Sequence, residues 1–111
     1  MVESQPGTLD ATYGALAHEV RRSMLERLRG GSARVTELAA PFDISLAAVS
    51  KHIRVLESAG LIHRGVRGRD HHLSLDPKPL VEAGAWIDNY RTFWERRLDA
   101  LEAQVREGNP R

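Results

Sequence analysis

The sequence contains no cysteine. That absence excludes a disulfide, a thiolate metal site, a cysteine nucleophile and a thiol redox switch. Aromatic residues are scarce too, with two Trp, two Tyr and two Phe among 111 residues, so their positions carry information. No apolar run approaches the ~18 residues of a bilayer-spanning helix, and no membrane partner is expected. Met1 to Gly7 has neither a basic residue nor an apolar core and does not read as a secretory leader. The expected compartment is the cytoplasm. A Gly-rich phosphate loop, a Ser/His/Asp set with a supporting motif and an evident carboxylate pair are all missing, so no enzyme is expected. Gly65-x-x-Gly68 is too short for nucleotide binding and reads as a turn.

What is present is the composition of an ordinary globular chain, 41% apolar and 28% charged, of a length that suits one core. The net charge of +1 hides an uneven distribution. Residues 1–17 carry two acids and no base. Residues 18–72 carry ten Lys/Arg against six acids, and residues 76–111 carry six bases against seven acids. Positive charge therefore collects in the middle. On its own so small a bias fits a solvated face as well as a binding surface, and position has to decide.

Residues 1–8 read as a disordered lead-in. Leu9, Tyr13, Leu16 and Ala17 recur at helical spacing, with Thr8 or Asp10 as cap. A second helix is predicted from Glu19 to Arg29, with Val20, Met24, Leu25 and Leu28 on one stripe and Gly30-Gly31 as its stop. Val35, Leu38, Ala39 and Phe42 mark a short third helix, broken around Pro41 to Asp43. Ser45 stands at an N-cap position, followed by Leu46, Val49, Ile53 and Leu56 on one face, and Ala59-Gly60 closes that helix. Two short helices joined by a tight turn form a helix-turn-helix. Leu61-Ile62-His63 and His72-Leu73-Ser74-Leu75 then flank a basic segment in which Gly68 supplies a tight turn, the pattern of a β-hairpin. A basic hairpin directly after a helix-turn-helix is a wing, so the fold class is mostly α with a small β-hairpin: a winged helix-turn-helix over residues 9–76.

The outward face of the second helix of the pair presents Ala47, Ala48, Ser50, Lys51 and Arg54. It is small at the N-terminal end and basic further along, which lets a helix approach base edges in the major groove. Arg64, Arg67 and Arg69 in the wing suit phosphate or minor-groove contact; arginine on a hairpin edge also discourages strand addition. His71 and His72 are neighbours on a strand and point to opposite faces, so they cannot chelate together. His52 reads as a half-buried packing or hydrogen-bonding residue and His18 as a cap or surface residue. No metal and no cofactor is expected.

From about residue 77 to 107 one long helix is predicted, ahead of a tail at 108–111. Leu80, Ile87, Trp94, Leu98, Leu101 and Val105 fall on one stripe that Trp86, Tyr90 and Phe93 widen. Thirty residues of helix run ~45 Å, against a diameter of ~35 Å for a compact chain of this length. An aromatic surface of that extent needs a partner. The reading is a homodimer through the first and last helices, with Leu9, Tyr13, Leu16, Trp86, Tyr90, Phe93, Trp94, Leu98 and Leu101 in the seam. The alternative is a winged helix that binds another protein and no DNA; it would be a monomer in isolation.

Val35-Thr36-Glu37-Leu38-Ala39, Val49-Ser50-Lys51-His52-Ile53 and Leu56-Glu57-Ser58-Ala59-Gly60-Leu61 together closely resemble the ArsR family of bacterial winged-helix regulators. Leu16-Ala17-His18-Glu19-Val20-Arg21-Arg22 and the wing sequence extend the resemblance over residues 9–76. It implies a dimeric repressor of transcription on a double-stranded operator with two-fold character, paired through its first and last helices. Carried onto this chain, the DNA-reading positions are Ser45, Ala47, Ala48, Ser50, Lys51 and Arg54 with the wing arginines. The chain departs from many members in having no thiol in Glu37-Leu38-Ala39-Ala40-Pro41 and no histidine on the last helix. The resemblance is therefore to a branch without the usual metal-binding cysteines, and any effector is an unknown small molecule.

Overall fold

The computed structural model describes residues 8–108; the lead-in and tail expected at the two ends otherwise lie outside the described residues. Five helices and three short strands follow one another: α1 (Leu9–Leu16), α2 (Glu19–Leu28), β1 (Ala33–Arg34), α3 (Val35–Ala39), α4 (Leu46–Ser58), β2 (Ile62–Arg67), β3 (Asp70–Leu75) and α5 (Lys78–Gly108). Local chemistry sets the boundaries. Thr8 Oγ1 accepts from the Ala11 amide at 3.2 Å, and Ser45 Oγ accepts from the Ala48 amide at 3.1 Å. Each satisfies one amide that a helix start leaves unpaired. His18 caps α2, its Nδ1 accepting from the Val20 amide at 3.1 Å. After α2 the chain turns through Gly31, whose φ of 136° a side chain disfavours.

The wing differs from its sequence reading in one respect. Instead of a lone hairpin, the sheet has three strands in the order β1-β3-β2, all antiparallel. Ala33 pairs with Leu73 and Arg34 with His72, so the two residues ahead of α3 anchor the inner strand of the wing. Two residues show no alternation, and the ladder alone defines them as a strand. The hairpin register runs from Ile62↔Leu75 to Arg67↔Asp70. A two-residue loop closes it, with Gly68 at φ 60° giving the positive φ of the tight turn.

Met24, Leu38, Ile53, Leu56, Leu61, Ile62 and Leu73 form the buried centre, drawn from α2, α3, α4, the sheet and the link between α4 and β2. α5 leaves this centre almost at once. Pro79 and Ala83 are buried and Leu80 is half-buried against the core, whereas from Trp86 onward the helix is exposed. At 31 residues α5 is about 46 Å long. The radius of gyration is 20.0 Å, where a compact chain of this length has ~13 Å. The excess is the projecting helix.

Candidate nucleic-acid interface

α4 is held by Val49, Ile53 and Leu56, all buried on its inner side. Its outer side carries Ala47, Lys51 and Arg54, all exposed, with Ala48 and Ser50 half-buried on the flanks. Ser45, at the cap, is exposed as well. The Arg54 guanidinium reaches back only to the Ser50 carbonyl, at 3.5 Å. Lys51 and Arg54 enter no salt bridge among the described residues, nor do Arg67 and Arg69 at the wing tip. Four cations that form no salt bridge among the described residues thus stand on the outer side of α4 and at the wing tip.

Burial overturns one sequence reading here. The spacing assigns Leu46 to the inner face with Val49, but Leu46 is 65% exposed. It lies in the first turn of α4, at the rim of the core, where Ile44 is exposed too. The outward surface therefore begins with a large apolar side chain. The wing arginines also divide. Arg67 and Arg69 are exposed, whereas Arg64 donates from Nε and Nη2 to the two carboxylate oxygens of Glu57, at 3.0 and 2.9 Å, and its Nη1 lies 3.1 Å from His71 Nδ1. This two-pronged pair ties β2 to the last turn of α4, and the hydrogen bonds from Arg64 hold the Glu57 carboxyl below its ordinary range. A phosphate approaching Arg64 would have to displace that carboxylate. Arg34 is a further basic residue on this side of the molecule; with Thr36, Arg64, Arg69, Asp70 and His71 it lines a cleft of about 410 Å³ between α3 and the wing. Its signal in the sequence is its place immediately before the helix pair.

His52 connects α4 to the first helix. Arg21 Nη1 donates to His52 Nδ1 at 3.1 Å, while Arg21 Nε and Nη2 donate to the Ala15 and Gly14 carbonyls at 2.7 and 3.1 Å. Arg21 thereby closes the C-terminal end of α1 and fixes the tautomer of His52, whose Nδ1 must stay unprotonated to accept. The His18 ring packs against His52 with centroids 4.3 Å apart. Desolvation first, then the charges of His18, Arg21 and Lys51, lower the His52 pKa from its ordinary 6.5. The folded state thus binds this proton less readily than the unfolded chain. The resulting stability is complete above pH 6.5 and is lost as pH falls through the lower folded-state value. Thermal melts between pH 8 and 5 are expected to show a fall in Tm beginning just under pH 6.5. His52→Gln, which keeps an acceptor without titrating, should flatten that segment.

Four of the six aromatic side chains, Trp86, Tyr90, Phe93 and Trp94, stand along α5. Tyr13 Oη donates to the Ala83 carbonyl at 2.6 Å and its ring meets Trp86 edge-on at 6.2 Å, which fastens α1 to the root of α5. Trp86 packs on Tyr90 at 5.0 Å and Phe93 on Trp94 at 6.0 Å. Leu98, Leu101 and Val105 prolong the surface, every one of these side chains past Trp86 being more than half exposed. Of the residues assigned to the seam, Leu9 and Tyr13 are half-buried beside it, and Leu16 packs against the core of its own chain. Among the described residues no three His, Asp or Glu side chains are grouped to hold a metal ion, and no helix is long and apolar enough to cross a membrane.

Comparison with known proteins agrees with this arrangement. A helix-turn-helix domain family matches residues 16–64. The HTH-type transcriptional regulator Rv2034 of Mycobacterium tuberculosis is 37% identical over 89 residues, covering 80% of each chain. The transcriptional repressor SdpR of Bacillus subtilis is 27% identical over 82 residues, covering 74% of this chain and 91% of its own. Among solved structures, the crystal structure of an ArsR family transcriptional regulator superimposes with a TM-score of 0.74 at 38% identity, over 78% of this chain and 96% of that one. An ArsR-like transcriptional regulator from Rhodococcus sp. RHA1 gives a TM-score of 0.70 at 25% identity, over 86% and 90% of the two chains.

Proposed function

Because the chain belongs to the ArsR family of winged helix-turn-helix transcriptional regulators, a DNA-binding family and not one of enzymes, we propose that it is a homodimeric repressor that binds an operator of two-fold symmetry. In this reading residues 9–76 form the DNA-binding unit and residues 77–107 the dimerisation helix. Ser45, Ala47, Ala48, Ser50, Lys51 and Arg54 face the major groove, Arg67 and Arg69 reach phosphate or the minor groove, and Arg64 sets the angle of the wing through Glu57. The observation that carries the proposal is the set of four exposed cations, Lys51, Arg54, Arg67 and Arg69, none engaged in a salt bridge among the described residues. Repression is proposed because one relative carries that name.

The test is a fluorescence-anisotropy titration against the DNA upstream of the gene at several salt concentrations. Affinity equal to that for random DNA at every salt concentration would sink the proposal. Arg54→Ala is expected to weaken operator binding by about 5- to 150-fold, the ~1–3 kcal/mol of a lost base contact. A changed preference among operator variants places Arg54 on a base. Uniform weakening, with a salt slope flatter by about one, places it on phosphate.

A further inference from the structure

On the side of α1 turned away from Leu9 and Tyr13, a cleft of about 590 Å³ opens between α1 and α4. Ala11, Gly14, Ala15, Val55, Ser58 and Ala59 line it, with Lys51 and Arg54 on the α4 side and Asp10 on the α1 side. A Cβ at Gly14 would meet nothing within 4 Å, so the α1 wall has room for a side chain there. The volume lies within the ~300–1,000 Å³ of small-molecule sites, and mostly apolar residues with a few polar groups are their usual lining. Neither of the two cations is engaged in a salt bridge among the described residues. We propose that this cleft binds a small amphiphile with one anionic head and an apolar tail. The head is paired with Lys51 and Arg54 and the tail lies on Ala11, Gly14 and Val55. Asp10 opposes a second anionic group on the α1 side, so the cleft selects a single-headed ligand.

The regulatory consequence rests on the DNA reading given above. Lys51 and Arg54 cannot neutralise the ligand head and duplex DNA together, so ligand and operator compete, and by linkage each weakens the other equally. Gly14 and Ala15, which line the cleft, are the residues whose carbonyls accept from Arg21.

Decanoate, kept below its micelle-forming concentration, is the probe, with decanol as the uncharged control. Amide chemical shifts of the full chain without DNA are expected to show saturable decanoate binding centred on residues 11, 14, 55 and 59. Decanol should bind at least tenfold more weakly, and in anisotropy decanoate but not decanol should release the operator. Gly14→Leu, whose side chain fills the cleft, should abolish decanoate binding while the variant retains its DNA affinity. Saturable binding that Gly14→Leu removes supports the site even if operator binding fails. A protein that binds operator yet shows no saturable decanoate binding, or binds decanol equally well, overturns the site and leaves the DNA reading intact. Decanoate bound in the cleft without release of DNA overturns the competition.

Discussion

Trp94→Asp is expected to give a folded monomer that has lost most of its operator binding. Trp94 is 57% exposed, and within its own chain its aromatic partner is Phe93, at 6.0 Å. Replacing it removes little from the monomer, and the circular dichroism spectrum should be unchanged. In the proposed dimer the same side chain lies in the middle of a stripe running from Trp86 to Val105. An aromatic side chain buries ~150–250 Å² in total, so covering a little over half of it at ~25 cal/mol per Å² stabilises association by roughly 2–4 kcal/mol. Aspartate forfeits that and leaves a charge facing apolar surface without a partner, which costs several kcal/mol more. The sum exceeds the 4.1 kcal/mol that separates each thousandfold in Kd. Light scattering should report 12.4 kDa for the variant, the mass of one chain, where the parent gives twice that. Operator affinity should fall by about 100-fold or more, since each monomer then holds one half-site. A variant that keeps the doubled mass, or a parent that is itself monomeric, removes α5 from the seam.

The features legible in the sequence are those that one stretch of chain specifies alone. Ser45 before an apolar stripe gives a capped helix, Gly68 between alternating segments gives a hairpin, and the spacing from Leu80 to Val105 gives a long helix whose apolar side one small domain cannot cover. What escaped depends on residues distant in sequence. β1 is a strand only because β3 lies alongside Ala33 and Arg34. Arg64 reads as a free wing cation until the fold brings Glu57 within 3.0 Å. The link from His52 through Arg21 to the end of α1 joins three helices and has no local signature. The cleft beside Gly14 is likewise a product of packing, since it exists only where α4 lies across from α1.

Leu46 and Leu56 turn the remaining lesson into the second large prediction, because both lie on α4 and its spacing assigns both to the core. Leu56 is 0% exposed and Leu46 is 65% exposed. Leu56→Ala deletes a side chain at the junction of α4 with the rest of the core and leaves a cavity that the sheet and α2 can close only in part. Such changes cost ~2–5 kcal/mol out of the ~5–15 kcal/mol that holds a domain of this size together. At ~4–8 °C per kcal/mol, Tm should fall by at least 8 °C, and operator binding should fail at temperatures where the parent is still folded. Leu46→Ala removes surface that water already reaches, so its stability should change by less than ~0.5 kcal/mol. Its effect should appear on DNA instead. In the DNA reading proposed above, a large apolar side chain at the start of α4 meets a thymine methyl group, so its truncation should weaken operator binding with no change in salt slope. If Leu46→Ala lowers Tm as far as Leu56→Ala does, the first turn of α4 is packed in solution and the outward face must be redrawn without it.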